Sequence, residues 1–470
     1  MKLMLSMQKL MSKSFGMQKG ISFFFLLLIS YVLNAQEPSR ILSSVFDEAL
    51  TDRTAYNTLE NLCKNTKGRI AGSAAAEKAV EIGRQALIDA GADTVWLQQV
   101  PVPHWVRGNE KCSIKSSVNG KKDLAITALG FSVGTAEDGI TAKIIEVHNF
   151  EELKTLGLQN IQGKIVFFNR PFDSKLINSF AAYGGAVNQR VTGPAEASGY
   201  GAVAVIVRSM TQSLDNFPHT GVTNYPEGVN KIPAVAVSTL DAELLSQWLK
   251  NDPSLTVHLV STCKNLPDTI SYNIIGEVYG TKKPHEYITV GGHLDAWDIT
   301  EGAVDDGGGC VQSIETIRIF KKLGIKPKRT VRAVLFMNEE MSGTGGKTYA
   351  EEAKRKGEVH YAALESDRGV MSPLGFSFDS DSIRLEKLRS VTSLFAPYNI
   401  RDFDKGGGGS DIAPLKVLGA LQIGYIPDSQ RYFWYHHSAN DTFEQINIRE
   451  LQMGSAAIAS LIDLIDLLDL

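Results

Sequence analysis

Apolar residues recur with helical spacing at Ile41, Leu42, Val45, Leu50, Tyr56, Leu59 and Leu62, which predicts a helix over 41 to 63. A second helix is predicted over Ala74 to Ala90, rich in Ala, Glu and Lys and closed by Gly91. Thr94 to Val100 reads as a strand. From about Lys121 the texture changes to short β-branched runs among many glycines. Strands are predicted at Ala142–Val147, Gly163–Phe168, Ala202–Val207 and Ile232–Val237, with helices at Gly193–Gly199 and Thr239–Lys250. A parallel-sheet rhythm then begins. Strands at Ser271–Val278, Tyr287–Gly291, Thr330–Met337, Tyr361–Leu364 and Ala420–Tyr425 are interleaved with helices at Val311–Leu323, near Lys347–Arg355, near Ser382–Phe395, and at Ile448–Leu468.

The pattern predicts an α/β/α sandwich with a mostly parallel sheet, formed by residues 36–118 and 266–470. A smaller α/β domain, residues 119–265, interrupts it. Two domains also suit a chain of 470 residues, which is long for one core.

One run stands apart. Ile21 to Leu33 is strongly apolar, follows Lys19 and precedes Asn34-Ala35-Gln36. It is too short to span a bilayer comfortably, and its flanks are those of a secretory signal ending near residue 35. The expectation is an exported protein with no membrane span after cleavage. Met17 is an alternative start that would shorten the charged leader. A net charge of -4 argues against a nucleic-acid partner, which calls for a basic face. Four cysteines are too few for a disulfide framework. Cys112 and Cys263 flank the inserted domain, so a bridge between them and two packed thiols both fit.

The chemistry lies at the strand ends. His293 and Asp295 are two apart after a strand, so both can face one side, the imidazole as a metal ligand and the carboxylate fixing its tautomer. Asp305-Asp306-Gly307-Gly308-Gly309 opens a helix. Asp305 is read as a carboxylate bridging two cations, and Asp306 as one free to serve the helix terminus. Glu339-Glu340 ends a strand that is otherwise apolar, where two acids are costly without a cation. Their side chains should diverge, giving Glu340 as ligand and Glu339 as general base. Asp367 follows another strand, and His436 and His437 compete for one ligand position. Each fragment alone is commonplace; together, in order, they match a two-metal hydrolase.

With these residues in hand, the chain resembles the co-catalytic di-zinc exopeptidases, and among them the carboxypeptidase Q-like members. The likeness runs from about residue 40 onward and rests on Gly292-His293-Leu294-Asp295-Ala296-Trp297-Asp298, Asp305-Asp306-Gly307-Gly308-Gly309, Glu365-Ser366-Asp367 and His436-His437-Ser438. The inserted domain resembles a protease-associated domain through Arg190-Val191-Thr192-Gly193 and Pro218-His219-Thr220-Gly221. The resemblance implies one zinc on His293 and Asp367, another on Glu340 and His437, Asp305 between them and Glu339 as base. It further implies short peptide substrates and a homodimer. The chain departs from the family pattern at Met341-Ser342-Gly343 and at Ala439-Asn440, near the pocket rather than at a ligand. An aminopeptidase with the same metals, a hydrolase of a non-peptide amide or amino-sugar, and a binding ectodomain without catalysis are the competing readings. The last would be favoured by a missing ligand or base, and none is missing.

Overall fold

Val331, Ala333 and Leu335 alternate with Val334 and Phe336 along one strand, and all five are buried. A strand with no wet side must be covered on both faces. The computed structural model describes residues 38–470, and the predicted signal segment lies outside the described residues. Eight strands form the larger sheet: β1 (Thr94–Val106), β2 (Lys264–Val278), β3 (Lys283–His293), β4 (Arg329–Phe336), β5 (Val359–Glu365), β6 (Pro373–Asp379), β7 (Asp402–Lys405) and β8 (Leu421–Pro427). Their order is β1-β2-β4-β3-β5-β8-β6-β7.

The centre, β4-β3-β5-β8, is parallel, as is the β6–β7 pair. β1 with β2, β2 with β4, and β6 with β8 run antiparallel, so the sheet is mixed. The reason at one edge is topological: β1 leads out to the inserted domain and β2 returns from it, so the two lie side by side in opposite directions.

One face of the sheet carries α1 (38–51), α3 (Ala74–Asp89), α4 (Gly308–Leu323) and α6 (Ile448–Leu468), with α2 (Thr54–Asn65) packed on α3 and α4. The other face carries α5 (Thr344–Lys356), whose Tyr349, Ala350 and Ala353 meet Val334 and Phe336. α6 is long and apolar enough to cross a membrane, but it is buried, with Ile458, Leu461 and Ile462 in the main core.

Three expectations need correction. The single helix over 41–63 is two, because the Asp52 carboxylate accepts the Thr54 amide and restarts the chain. The helix expected over Ser382–Phe395 is likewise broken, into Ser382–Arg389 and Thr392–Phe395, and it links two strands, β6 and β7, that the apolar pattern did not reveal.

The third concerns the boundary at 119. The smaller sheet takes in Glu110–Ser116, which pairs antiparallel with Thr256–Ser261, and its strands end before β2 begins at Lys264. Lys111 and Lys115 alternate with buried Cys112 and Ile114, a pattern too short to stand out in sequence. The apolar core of this sheet continues into Ile70, Trp297 and Met341 of the larger domain. Arg107 clamps the junction, donating to both carboxylate oxygens of Asp298 at 2.8 and 2.6 Å. All four cysteines are buried free thiols; Cys112 and Cys263 pack in that shared core without a bridge.

Candidate metal centre

The parallel centre of the sheet levels its strand ends. His293 lies opposite Phe336, and Gly291 opposite Glu365. The chain beyond each strand therefore opens onto the same edge, where open α/β sheets place their sites. Asn338 and His437 both hold positive φ, 70° and 60°, which turns the chain sharply beside Glu339 and at the histidine pair.

The predicted residues converge. His293 Nε2 lies 3.2 Å from Asp305 Oδ1 and 3.5 Å from Asp367 Oδ1. His437 Nε2 lies 2.9 Å from Glu340 Oε2 and 3.5 Å from Asp305 Oδ2. Asp305 thus touches two donor sets, one with each oxygen. Asp305 Oδ2, Glu340 Oε1 and Asp367 Oδ1 are buried and accept no hydrogen bond. So many orphaned carboxylate oxygens beside two imidazoles fit a pair of divalent cations, which would supply the missing partners. Protein atoms alone leave the groups in conflict. Burial, then the Asp305 charge, pushes the Glu340 carboxyl well above the usual range. Burial lifts Asp367 to about 6 against the pull of His293.

The two histidines separate. The His436 ring stacks on that of His437 at 3.5 Å, but its Nε2 is 3.9 Å from Asp305, and no contact joins it to Glu340. Glu339 stands apart from the donor groups, lining the cleft and accepting from Ser410 Oγ at 2.5 Å. Asp306 is not part of the cleft lining, although one of its oxygens lies near enough to His293 and Asp367 to join a donor set. It accepts the amides of His293 and Gly309 at 3.0 and 3.1 Å, so it secures the turn. Gly309 has no room for more: a Cβ there would come within 1.9 Å of the Ser366 carbonyl.

Asp295 takes a different part from the one expected. Its carboxylate is 3.9 Å from His293 Nδ1, which instead meets the Asp295 main-chain oxygen at 3.0 Å. The carboxylate accepts the amides of Asn338, Glu339 and Glu340 at 2.7, 3.1 and 3.3 Å. Three converging N–H groups of a tight turn satisfy a buried carboxylate better than one imidazole. Asp295 therefore sets the Glu339-Glu340 turn.

Sequence reasoning missed three supports. Asp441, fully buried, accepts the amides of Ala303 and Val304 on Oδ1 and of Asp305 on Oδ2, at 3.0, 2.7 and 3.1 Å. The Thr220 amide, from the inserted domain, donates to the His437 carbonyl at 2.9 Å. The Thr220 carbonyl faces His437 Nδ1 at 3.2 Å, which leaves Nε2 to the cleft. Arg190, also from the inserted domain, lines the cleft. Its signal was present in the motif word Arg190-Val191-Thr192-Gly193, but nothing tied that word to the metals. The cleft holds about 310 Å³ and is lined by Phe180, Tyr183 and Val222 of the inserted domain and by Tyr432 and Phe433, with Phe180 stacked on Tyr432 and Tyr183 on Phe433.

Fold and site together define a metallo-exopeptidase: the chain belongs to peptidase family M28, whose signature matches residues 273–462. Within that family it is similar to Carboxypeptidase Q of Bos taurus and of Homo sapiens, each 35% identical over 86% of this chain and 84% of the relative. The crystal structure of a peptidase M28 precursor from Shewanella amazonensis superposes with a TM-score of 0.87 at 32% identity, covering 91% of this chain and 96% of that one. BSAP, a zinc aminopeptidase from Bacillus subtilis, shares the fold at a TM-score of 0.62 and 21% identity, covering 87% of this chain and 94% of that one.

Proposed function

We propose that this chain is an exported zinc exopeptidase that hydrolyses dipeptides and very short peptides, with Glu339 as general base. The observation that carries the reading is Asp305, which presents one oxygen to His293 and the other to His437, as a carboxylate shared by two cations must. His293 and Asp367 would hold one zinc, Glu340 and His437 the other. When bound, the pair would supply Lewis-acid polarisation of a scissile carbonyl and a water acidified toward neutral pKa.

The protein's own groups do the rest. Glu339 is free of both donor sets and borders the cleft, placed to take the proton of the attacking water and pass it to the leaving amine. Asp295 and Asp441 fix the turns that carry Glu339, Glu340 and Asp305. A cleft of about 310 Å³ lined by aromatic rings suits a substrate of about two residues. Export rests on the apolar run Ile21 to Leu33 with its flanks. Glu339→Gln tests the reading: zinc content should stay while turnover of a dipeptide falls about 10²–10⁴-fold. Near-normal turnover with zinc retained would remove Glu339 from the mechanism.

A further inference from the structure

The cleft lining carries two kinds of apolar surface. One is aromatic: Phe180 stacks on Tyr432 with ring centres 5.2 Å apart, and both pack in the core around Phe433. The other holds no ring. Met341, 5% exposed, and half-buried Val222 line the cleft from the separate core that the two domains share around Trp297. Gly130 brings these side chains together. It bridges to Val222, its N–H donates to the Gly221 carbonyl at 3.0 Å, and its carbonyl accepts the Thr223 amide at 2.9 Å. A Cβ at Gly130 would run into the Trp297 ring and lie 3.4 Å from Met341 Sδ. The Trp297 ring in turn lies 5.6 Å from that of His437, and Met341 follows Glu340 directly. The second patch therefore stands beside the donor pair Glu340 and His437. Its two side chains offer no strong hydrogen-bond donor or acceptor.

We infer, on the exopeptidase reading above, that Met341 and Val222 form the subsite for one of the substrate's two side chains and select an aliphatic group there. A dipeptide carries one side chain on each side of its scissile bond, on Cα atoms roughly 3.8 Å apart. The two patches belong to separate cores, so each can take one of them. An unbranched thioether bends to the shape of a Leu, Ile or Met side chain alike. A side-chain amide placed there gives up its water and gains no partner. Met341 is also a position where the chain departs from the pattern of the exopeptidases it resembles, so the selection is set by this chain's own residue.

The experiment uses two dipeptide series, X-Ala and Ala-X, with X as Leu or Gln, and zinc-loaded wild type, Met341→Gln, Met341→Leu and Val222→Asn. Zinc per chain is measured for each. In one series wild type should favour Leu over Gln by about 10-fold or more in kcat/KM. Met341→Gln should cut that ratio to about 3-fold or less in that series alone and leave the Leu-to-Gln ratio of the other series as it is. Met341→Leu should keep the wild-type ratio, and Val222→Asn should shift the same series as Met341→Gln, which keeps the test open if Met341→Gln folds poorly. Wild type that cleaves dipeptides with no preference for Leu in either series overturns the inference and leaves the exopeptidase chemistry standing. So does a shift that is equal in both series, or unchanged ratios in zinc-loaded Met341→Gln. No cleavage of any dipeptide by zinc-loaded wild type overturns the functional reading and this inference with it.

Discussion

Asp441 is the sharpest test of how the site is held, because it lies outside both donor sets and outside the cleft lining. Its two oxygens accept three buried amides at 3.0, 2.7 and 3.1 Å, the last belonging to Asp305. Asp441→Ala strands all three donors. Each unsatisfied buried group costs about 1–3 kcal/mol, less where water enters the space left, so the loss should be roughly 3–6 kcal/mol. Asp441→Asn is more selective. One oxygen can still serve Ala303 and Val304, while an amide nitrogen now faces the Asp305 N–H. The cost should be about 1–3 kcal/mol, concentrated on the backbone that carries Asp305. Because Asp305 touches both donor sets, both zinc equivalents should weaken together, each by about 10- to 100-fold. Zinc titration by calorimetry and thermal melts with and without chelator measure the two effects. Unchanged zinc affinity in Asp441→Asn, or weakening of one equivalent alone, would refute the view that this carboxylate sets the shared ligand.

Asp305→Ala should lose both zinc ions together by elemental analysis, and retention of one full equivalent would show that it is not the bridge. His437→Ala should deplete zinc far more than His436→Ala, since only His437 reaches Glu340; equal depletion would reverse that choice. Gly221→Ala should displace Arg190 and the Thr220 loop and weaken the zinc held by His437 more than that held by His293, because only His437 leans on Thr220. Away from the site, Glu358 is opposed by burial but held down to about 2 by its hydrogen bonds to His360 and Arg332. A carboxyl depressed in the fold adds stability above its unfolded pKa of about 4.3, and that stability is lost as pH falls through about 2. Melting temperature measured from pH 6 down to pH 2 should therefore fall less steeply in Glu358→Gln than in wild type.

Much of this protein is readable along the chain because the relevant signals are local. The buried runs of β3, β4 and β5, the glycine turn after Asp305 and the acids after each strand are each written in a few consecutive residues. The forces behind them, apolar periodicity and the cost of an acid at a buried strand end, act over that range. Even so, short amphipathic stretches such as Glu110–Ser116 escaped notice, since a few alternating residues do not outweigh their lysines.

What only the tertiary structure decided are contacts between distant segments, most of them made by backbone groups. Asp295 looked like a partner for His293 because the two are neighbours in sequence, yet its carboxylate went to the amides of 338–340. Every residue except proline has a backbone N–H, so no residue type marks where three of them will converge. Asp441 and Thr220 support the site the same way, across 136 and 217 positions of chain. Arg190 is the clearest case. The motif word Arg190-Val191-Thr192-Gly193 marks the inserted domain in the sequence, but only folding brings Arg190 to Tyr183, Gly221 and His437.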